Sequence, residues 1–222
     1  MSTRYPGGFI NRSAPVIVGP TNGEGGSAPG VWTLEQASYY TKQGVWPQRI
    51  KNKPLFAWGQ NNQGQLGQNN LTYRSSPVQV GSQVYWASPS AGGSKMHAVT
   101  TAGALYACGN NGTGALGTGN TVSQSSPVQV GSLTNWGYVS SWEYSCVALK
   151  TDGTLWSWGD NSQGQLGLGD VAIKSSPIQI GSLTTWSKVS QNALATTAIK
   201  TDGTLWSWGR GVFGQLGQNN TF

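Results

Sequence analysis

Apolar and polar positions along this chain recur in one order and at one interval. The segment LWSWGDNSQGQLGLGD begins at Leu155, and its pattern returns as LFAWGQNNQGQLGQNN at Leu55, LYACGNNGTGALGTGN at Leu105 and LWSWGRGVFGQLGQNN at Leu205. The starts 55, 105, 155 and 205 differ by 50 with no slippage, a period that signals stacked or radial repeats rather than one irregular domain. Each period holds four short runs rich in β-branched and aromatic residues and bounded by Gly, Pro, Asn or Ser; in the third they read PIQIG, TWSKVS, TTAIKT and TLWSWG. No window of the repeats sustains helical periodicity.

The punctuation agrees with strands. Asp152-Gly153 and Asp202-Gly203 stand between strand-like runs, where glycine accepts the positive φ of a tight hairpin, so these aspartates read as turn residues and not catalytic acids. Trp156 and Trp158, like Trp206 and Trp208, are two residues apart and share one face of a strand. A pair of indoles is a large apolar surface, and the expected cover is the next sheet. The pattern predicts an all-β fold, a partial β-propeller of four-stranded antiparallel blades.

The text ALKTDGTLWSWGDNSQGQLGLG at 148–169 and AIKTDGTLWSWGRGVFGQLG at 198–217, with weaker copies upstream, resembles the regulator-of-chromosome-condensation repeat over residues 55–222. The resemblance implies a propeller that binds protein partners. It departs at the histidine that often precedes the apolar run, where this chain has Lys95, Ser145 and Ala195. Members acting on a small GTPase use loops with no counterpart here, so that activity is not expected. Light sensing, as in a plant member, would need arginines among the indoles, and the repeats hold only Arg74 and Arg210.

A blade cut from SPVQVG to the following Trp-Gly gives three complete blades, 76–109, 126–159 and 176–209, with an orphan strand at 55–59 and a bladeless loop at 211–222. The resembled family closes rings of seven blades, which one copy of this chain cannot do: the expectation is a truncated product, an open arc that another chain completes, or missing strands supplied by another part of the chain. Residues 13–19, SAPVIVG, read like SSPVQVG and suggest a decayed first blade carrying an insertion.

Residues 1–54 differ in kind and are expected to form an arm. TNGEGGSAPG at 21–30 has linker composition, and one short helix is predicted at about 33–43, capped by Thr33 with Gln36 and ended by Gly44 before Pro47. The segment 25–47 also resembles modules of marine tailed-phage virion proteins. That resemblance implies an assembly arm whose Trp32, Leu34, Tyr40 and Trp46 contact other virion proteins or copies of the chain. The blades would then be displayed as a decoration, fibre or receptor-binding surface toward a protein or glycan, on a virion assembled in the host cytoplasm. The alternative is a cytoplasmic cellular adaptor or regulator binding a protein partner.

Composition narrows this only a little. Of 222 residues, 9% are charged, 33 are Gly and 11 are Trp, and the regular aromatic spacing argues for an ordered β-core despite the low charge. No apolar run is long enough to span a bilayer, and MSTRYPGGF lacks the apolar core of a signal peptide. The net charge of +6 is densest at Arg49, Lys51 and Lys53, a solvated hinge; no basic stripe follows the repeats, so nucleic acid is not an expected partner.

Candidate chemistry is sparse. His97 is the single histidine, which excludes a multi-histidine metal site. Cys108 takes the place of Trp58, Trp158 and Trp208, while Cys146 sits in another register, so both read as core fillers whose pairing has no support. Glu143, Asp160 and Asp170 share no spacing that would converge two carboxylates. The Asn/Gly loops lack the Lys-Ser/Thr ending and following helix of a phosphate loop, and read as turns around one buried leucine, Leu66, Leu116, Leu166 or Leu216. The expectation is therefore a non-enzymatic chain without catalytic, metal or cofactor residues, making contacts through Tyr73, Arg74, Val212 and Phe213.

Overall fold

Thirteen strands and no helix are formed by the residues that the computed structural model describes, 53–82, 85–192 and 194–219. The predicted helix at 33–43, the segment 13–19 and the arm residues Trp32, Leu34, Tyr40 and Trp46 lie outside those residues. The strands are β1 (Phe56–Gly59), β2 (Arg74–Gln79), β3 (Trp86–Gly92), β4 (Lys95–Thr100), β5 (Leu105–Gly109), β6 (Gln124–Gln129) and β7 (Trp136–Ser141). They continue as β8 (Ser145–Lys150), β9 (Leu155–Gly159), β10 (Lys174–Gln179), β11 (Trp186–Gln191), β12 (Ala195–Lys200) and β13 (Leu205–Gly209).

Antiparallel pairing gathers them into sheets in the order β1-β2, β3-β4-β5-β6, β7-β8-β9-β10 and β11-β12-β13. The all-β, four-stranded expectation holds, but the blades are cut elsewhere. The SSPVQ run closes the sheet of the Trp-Gly strand before it instead of opening the next one, so two sheets have four strands, one has two and one has three. Residues 55–59 are accordingly no orphan: Phe56 pairs with Gln79 and Ala57 with Val78. The cause is local. Between β5 and β6 the Asn111 side chain donates to the carbonyls of Asn120 (3.0 Å) and Val122 (3.1 Å) and accepts the Leu116 N–H (2.9 Å), folding the loop so that the chain returns beside β5.

At the other end of each sheet the turn between the second and third strands is fastened as predicted. Gly153 has φ +79°, and Asp152 Oδ1 accepts from the N–H (3.0 Å) and hydroxyl (2.6 Å) of Thr154. These hydrogen bonds hold the Asp152 carboxyl below its usual range, and the same arrangement lowers that of Asp202.

The sheets fan with their first strands converging. Ser141 N–H donates to Ser90 Oγ (2.9 Å) and Gln191 N–H to Ser140 Oγ (3.0 Å), linking β3 to β7 and β7 to β11. Between the first and second four-stranded sheets lies a core of Val99, Leu105, Leu116, Trp136, Val139 and Trp158. A second core, of Val147, Leu155, Trp186, Val189 and Ala198, joins the next pair.

The expected cover by the next sheet is not what forms: Trp156 and Trp158 pack against Val99, Leu105 and Leu116 of the preceding unit, and the indoles also hydrogen-bond back to it. Trp158 Nε1 donates to Ala115 O (2.9 Å) and Trp208 Nε1 to Gln165 O (3.1 Å), while Cys108 Sγ lies 3.7 Å from Gln65 O. Gly117 (φ +75°) and Gly167 (φ +68°) make room: a Cβ there would stand 2.8 Å from Trp158 Nε1 and 2.6 Å from Trp208 Nε1. The second glycine of G-x-L-G is thus required by backbone and by space.

Candidate interaction face

Registers Gly92↔Lys95, Lys95↔Gly109 and Gly109↔Gln124 bring the first hairpin turn and the long Asn/Gly loop of a sheet to the same end. The later sheets repeat this, with Asp160 N–H on Tyr144 O and Arg210 N–H on Leu194 O, both 2.8 Å. One end of the arc is therefore a row of alternating short turns and long loops.

The scaffold is shared by the first three of those loops, while the loop after β13 has Gly211 in place of the framing asparagine. Asn61 and Asn161 act like Asn111: Asn61 Nδ2 donates to Asn70 O (2.9 Å) and Thr72 O (3.1 Å), and Asn161 Nδ2 to Asp170 O (2.7 Å). The three asparagines are fully buried, as are Leu116 and Leu166. What changes from loop to loop is the outward set. Leu71 and Tyr73 in the first loop, Val122 in the second, and Val171 with Ile173 in the third are exposed apolar side chains held on a rigid frame. Between them the turn after β7 exposes Trp142 and Tyr144, with Tyr144 Oη donating to Glu143 Oε1 at 2.9 Å, a bond that raises the phenol pKa.

The predicted contact residues are distributed along this end. Tyr73 is exposed and Arg74, which opens β2, is half-buried. Val212 and Phe213 are exposed on the loop after β13, where Arg210 lies 5.4 Å from the Phe213 ring centroid. Sequence reasoning missed Trp142 and Tyr144. Their signal was present, two aromatics flanking Glu143 where the sister turns hold Gly92-Gly93-Ser94 and Asn192-Ala193-Leu194.

Beneath the face lies a buried polar cluster, and its Lys95 borders a cavity of about 430 Å³ lined also by Trp58, Gln65, Leu66 and Met96. His97 Nδ1 is 3.1 Å from Ser141 Oγ, and burial drives the imidazole pKa down to about 3. Lys95 Nζ donates to Trp142 O, and burial lowers its pKa to about 8. Cys108 and Cys146 are unpaired and buried, and burial pushes both thiols up to about 12, far from nucleophilic. No group of three or more His, Cys, Asp or Glu among the described residues is placed to hold a metal. No helix among them is long and apolar enough to cross a membrane.

Evenly repeated sheets carrying a frame of identical buried residues and differing exposed ones define a tandem-repeat β-propeller arc. Stretches 54–96, 102–149 and 152–193 match the regulator of chromosome condensation (RCC1) repeat, and the chain belongs to that family. Human WBSCR16 has a similar fold at 22% identity and TM-score 0.64, the match covering 72% of this chain and 43% of that one. So does yeast RCC1 (Prp20) in its structure bound to Kap60, at 20% identity and TM-score 0.64, over 74% and 41%. Prp20p from Saccharomyces cerevisiae, a structure described together with its binding properties to Gsp1p and histones, matches at 20% identity and TM-score 0.65, over 74% and 43%. The match thus spans well under half the length of these proteins. No curated protein sequence matches the chain.

Proposed function

We propose that this chain is a non-enzymatic recognition module that binds a protein partner through the end carrying the long loops. The observation behind this is the division of labour within each loop: Asn61, Asn111 and Asn161 hold the frame, while the exposed residues differ between units. A rigid frame lowers the entropy lost on binding, and exposed aromatics such as Tyr73, Trp142 and Tyr144 are the side chains that anchor protein interfaces. The opposite end offers fewer large apolar groups, chiefly Tyr85, Leu133, Leu183, Leu205 and Trp206. The solved relatives with named partners are protein binders, which supports the same reading.

A second reading rests on the resemblance of residues 25–47 to phage virion modules. In it the arm, with Trp32, Leu34, Tyr40 and Trp46, anchors the chain to a particle, and the same face meets a receptor. The solved relatives named above are cellular proteins, which favours an adaptor or regulator.

The test is paired disruption. Proteins captured from host extract by the whole chain are compared with those captured by a Tyr73→Ser/Trp142→Ser/Tyr144→Ser variant and by a Leu133→Ser/Leu183→Ser variant. Loss of a partner only in the first supports the long-loop face; loss only in the second rejects it. Copurification of the unaltered chain with phage structural proteins, abolished by Trp32→Ala/Tyr40→Ala, would select the virion reading.

A further inference from the structure

At the end opposite the long loops, where a turn joins the second and third strands, the three units that carry a first, second and third strand each build the same corner, and one of them lacks a part. In the second four-stranded sheet, Trp136 and Trp156 meet edge to face with centroids 6.0 Å apart at 78°. The ammonium of Lys150 lies 3.6 Å from the Trp156 centroid and 4.9 Å from that of Trp136. In the three-stranded sheet, Trp186 and Trp206 meet at 6.3 Å and 81°, with Lys200 Nζ 3.9 Å from Trp206 and 5.2 Å from Trp186. The face of an aromatic ring is its negative pole, so an alkylammonium is a fitting occupant in both.

The first four-stranded sheet keeps the rings: Trp86 and Tyr106 meet at 5.6 Å and 83°. It has Thr100 where its sisters have lysine, and among the described residues no cation stands over either ring. Thr100 has also taken over another task. Its Oγ1 accepts the Ala104 N–H (3.1 Å), the turn-closing service that Asp152 Oδ1 performs for Thr154 (3.0 Å) and Asp202 Oδ1 for Thr204 (2.9 Å). The aspartate position is Ala102, so the carboxylate that accompanies each internal lysine is gone as well. Tyr85, exposed, precedes Trp86 where the sisters have Asn135 and Thr185, adding a phenol beside the corner. Among the described residues the ring pair is kept without the cation and counter-ion of its sisters; Lys53, whose carbonyl accepts the Trp86 backbone N–H (3.2 Å), does not stand over either ring.

We infer that the Trp86–Tyr106 corner is a docking site for the side chain of a lysine presented by a partner protein, seated as Lys150 and Lys200 are seated in the sister corners. The site is separate from the long-loop face and stands at the opposite end of the sheets. The sister geometry names the ligand chemistry: an ammonium on an unbranched alkyl stem, laid against the face of the outer ring.

The experiment titrates the full chain with N-acetyl-lysine N-methylamide, following the Trp86 indole N–H and the Tyr106 ring by nuclear magnetic resonance. The norleucine analogue, of similar stem but uncharged, is the comparison probe. Saturable shifts at both signals are expected, with norleucine about tenfold weaker or silent. Thr100→Lys with Ala102→Asp, which transplants the sister arrangement, should abolish the response, and so should Tyr106→Leu, which keeps apolar bulk but removes the ring. Absence of any shift, equal shifts from both probes, a response to choline but none to the lysine probe, or undiminished binding in both variants would each overturn the assignment.

Discussion

The pentapeptide LWSWG occurs twice, as β9 and as β13, in opposite surroundings. Leu155 is 0% exposed and Leu205 is 68% exposed, although the same residues flank both. Trp158 is fully buried, whereas Trp208 is half-buried and Trp206 is exposed. The difference is the company each strand keeps. β9 has β10 at its outer side and Trp186 of the following sheet against Leu155; among the described residues β13 has neither counterpart. A repeat of this kind does not bury its own apolar face, and burial is a property of the joint between units.

The sharpest way to break that comparison is to truncate the same leucine twice. Leu155→Ala should cost about 2–5 kcal/mol in urea unfolding, and Leu205→Ala no more than about 0.5 kcal/mol. Equal losses would mean that the sheets do not rely on their neighbours. Next in size is the glycine under the indole. Gly167→Ala and Gly217→Ala both force a residue into left-handed backbone, at φ +68° and +66°, but only the first drives a Cβ into Trp208. The backbone strain cancels in the difference, leaving about 1–3 kcal/mol of overpacking at Gly167.

Acid should attack the joint before the terminal sheet. His97 lies edge to face with Trp158 at 5.8 Å, and its pKa falls from 6.5 unfolded to about 3 folded. Between those values the unfolded chain binds more protons, so stability is lost as pH falls through that window. Lys95 has the same sign at the alkaline end: with its pKa at about 8 folded against 10.5, stability rises as pH climbs between the two. Hydrogen exchange at pH 4 against pH 7 should show protection lost around β4 and β8 more than at β12. The smallest effect is expected at Phe213→Ser, within about 0.5 kcal/mol, because that side chain is 82% exposed.

Much of the fold was legible because the repeat spells out its chemistry. Asp152-Gly153 and the leucines Leu66, Leu116 and Leu166 do what their types and spacings implied, whereas Leu216 is only half-buried. The blade boundary was not legible, since shifting the cut along a strict period leaves the content of each unit unchanged. The deciding contact is the Asn111 side chain on the carbonyls of Asn120 and Val122, which no pattern of apolar residues reports. The indoles' backward reach was hidden for a similar reason: strand alternation fixes a face but not which neighbour meets it. Tyr73 and Phe213 could be picked out as large groups in polar loops, whereas Trp142 and Tyr144 stand between two strand-like runs and only the turn after β7 places them outside.

Cys108 occupies the position where the later units have a tryptophan, and its sulfur holds the Gln65 carbonyl across 3.7 Å where an indole N–H reaches Ala115 at 2.9 Å. Along a pulled chain the seams are therefore unequal. Under mechanical load the seam at Cys108 should part at lower force than the one at Trp158, giving the arc a built-in first point of rupture.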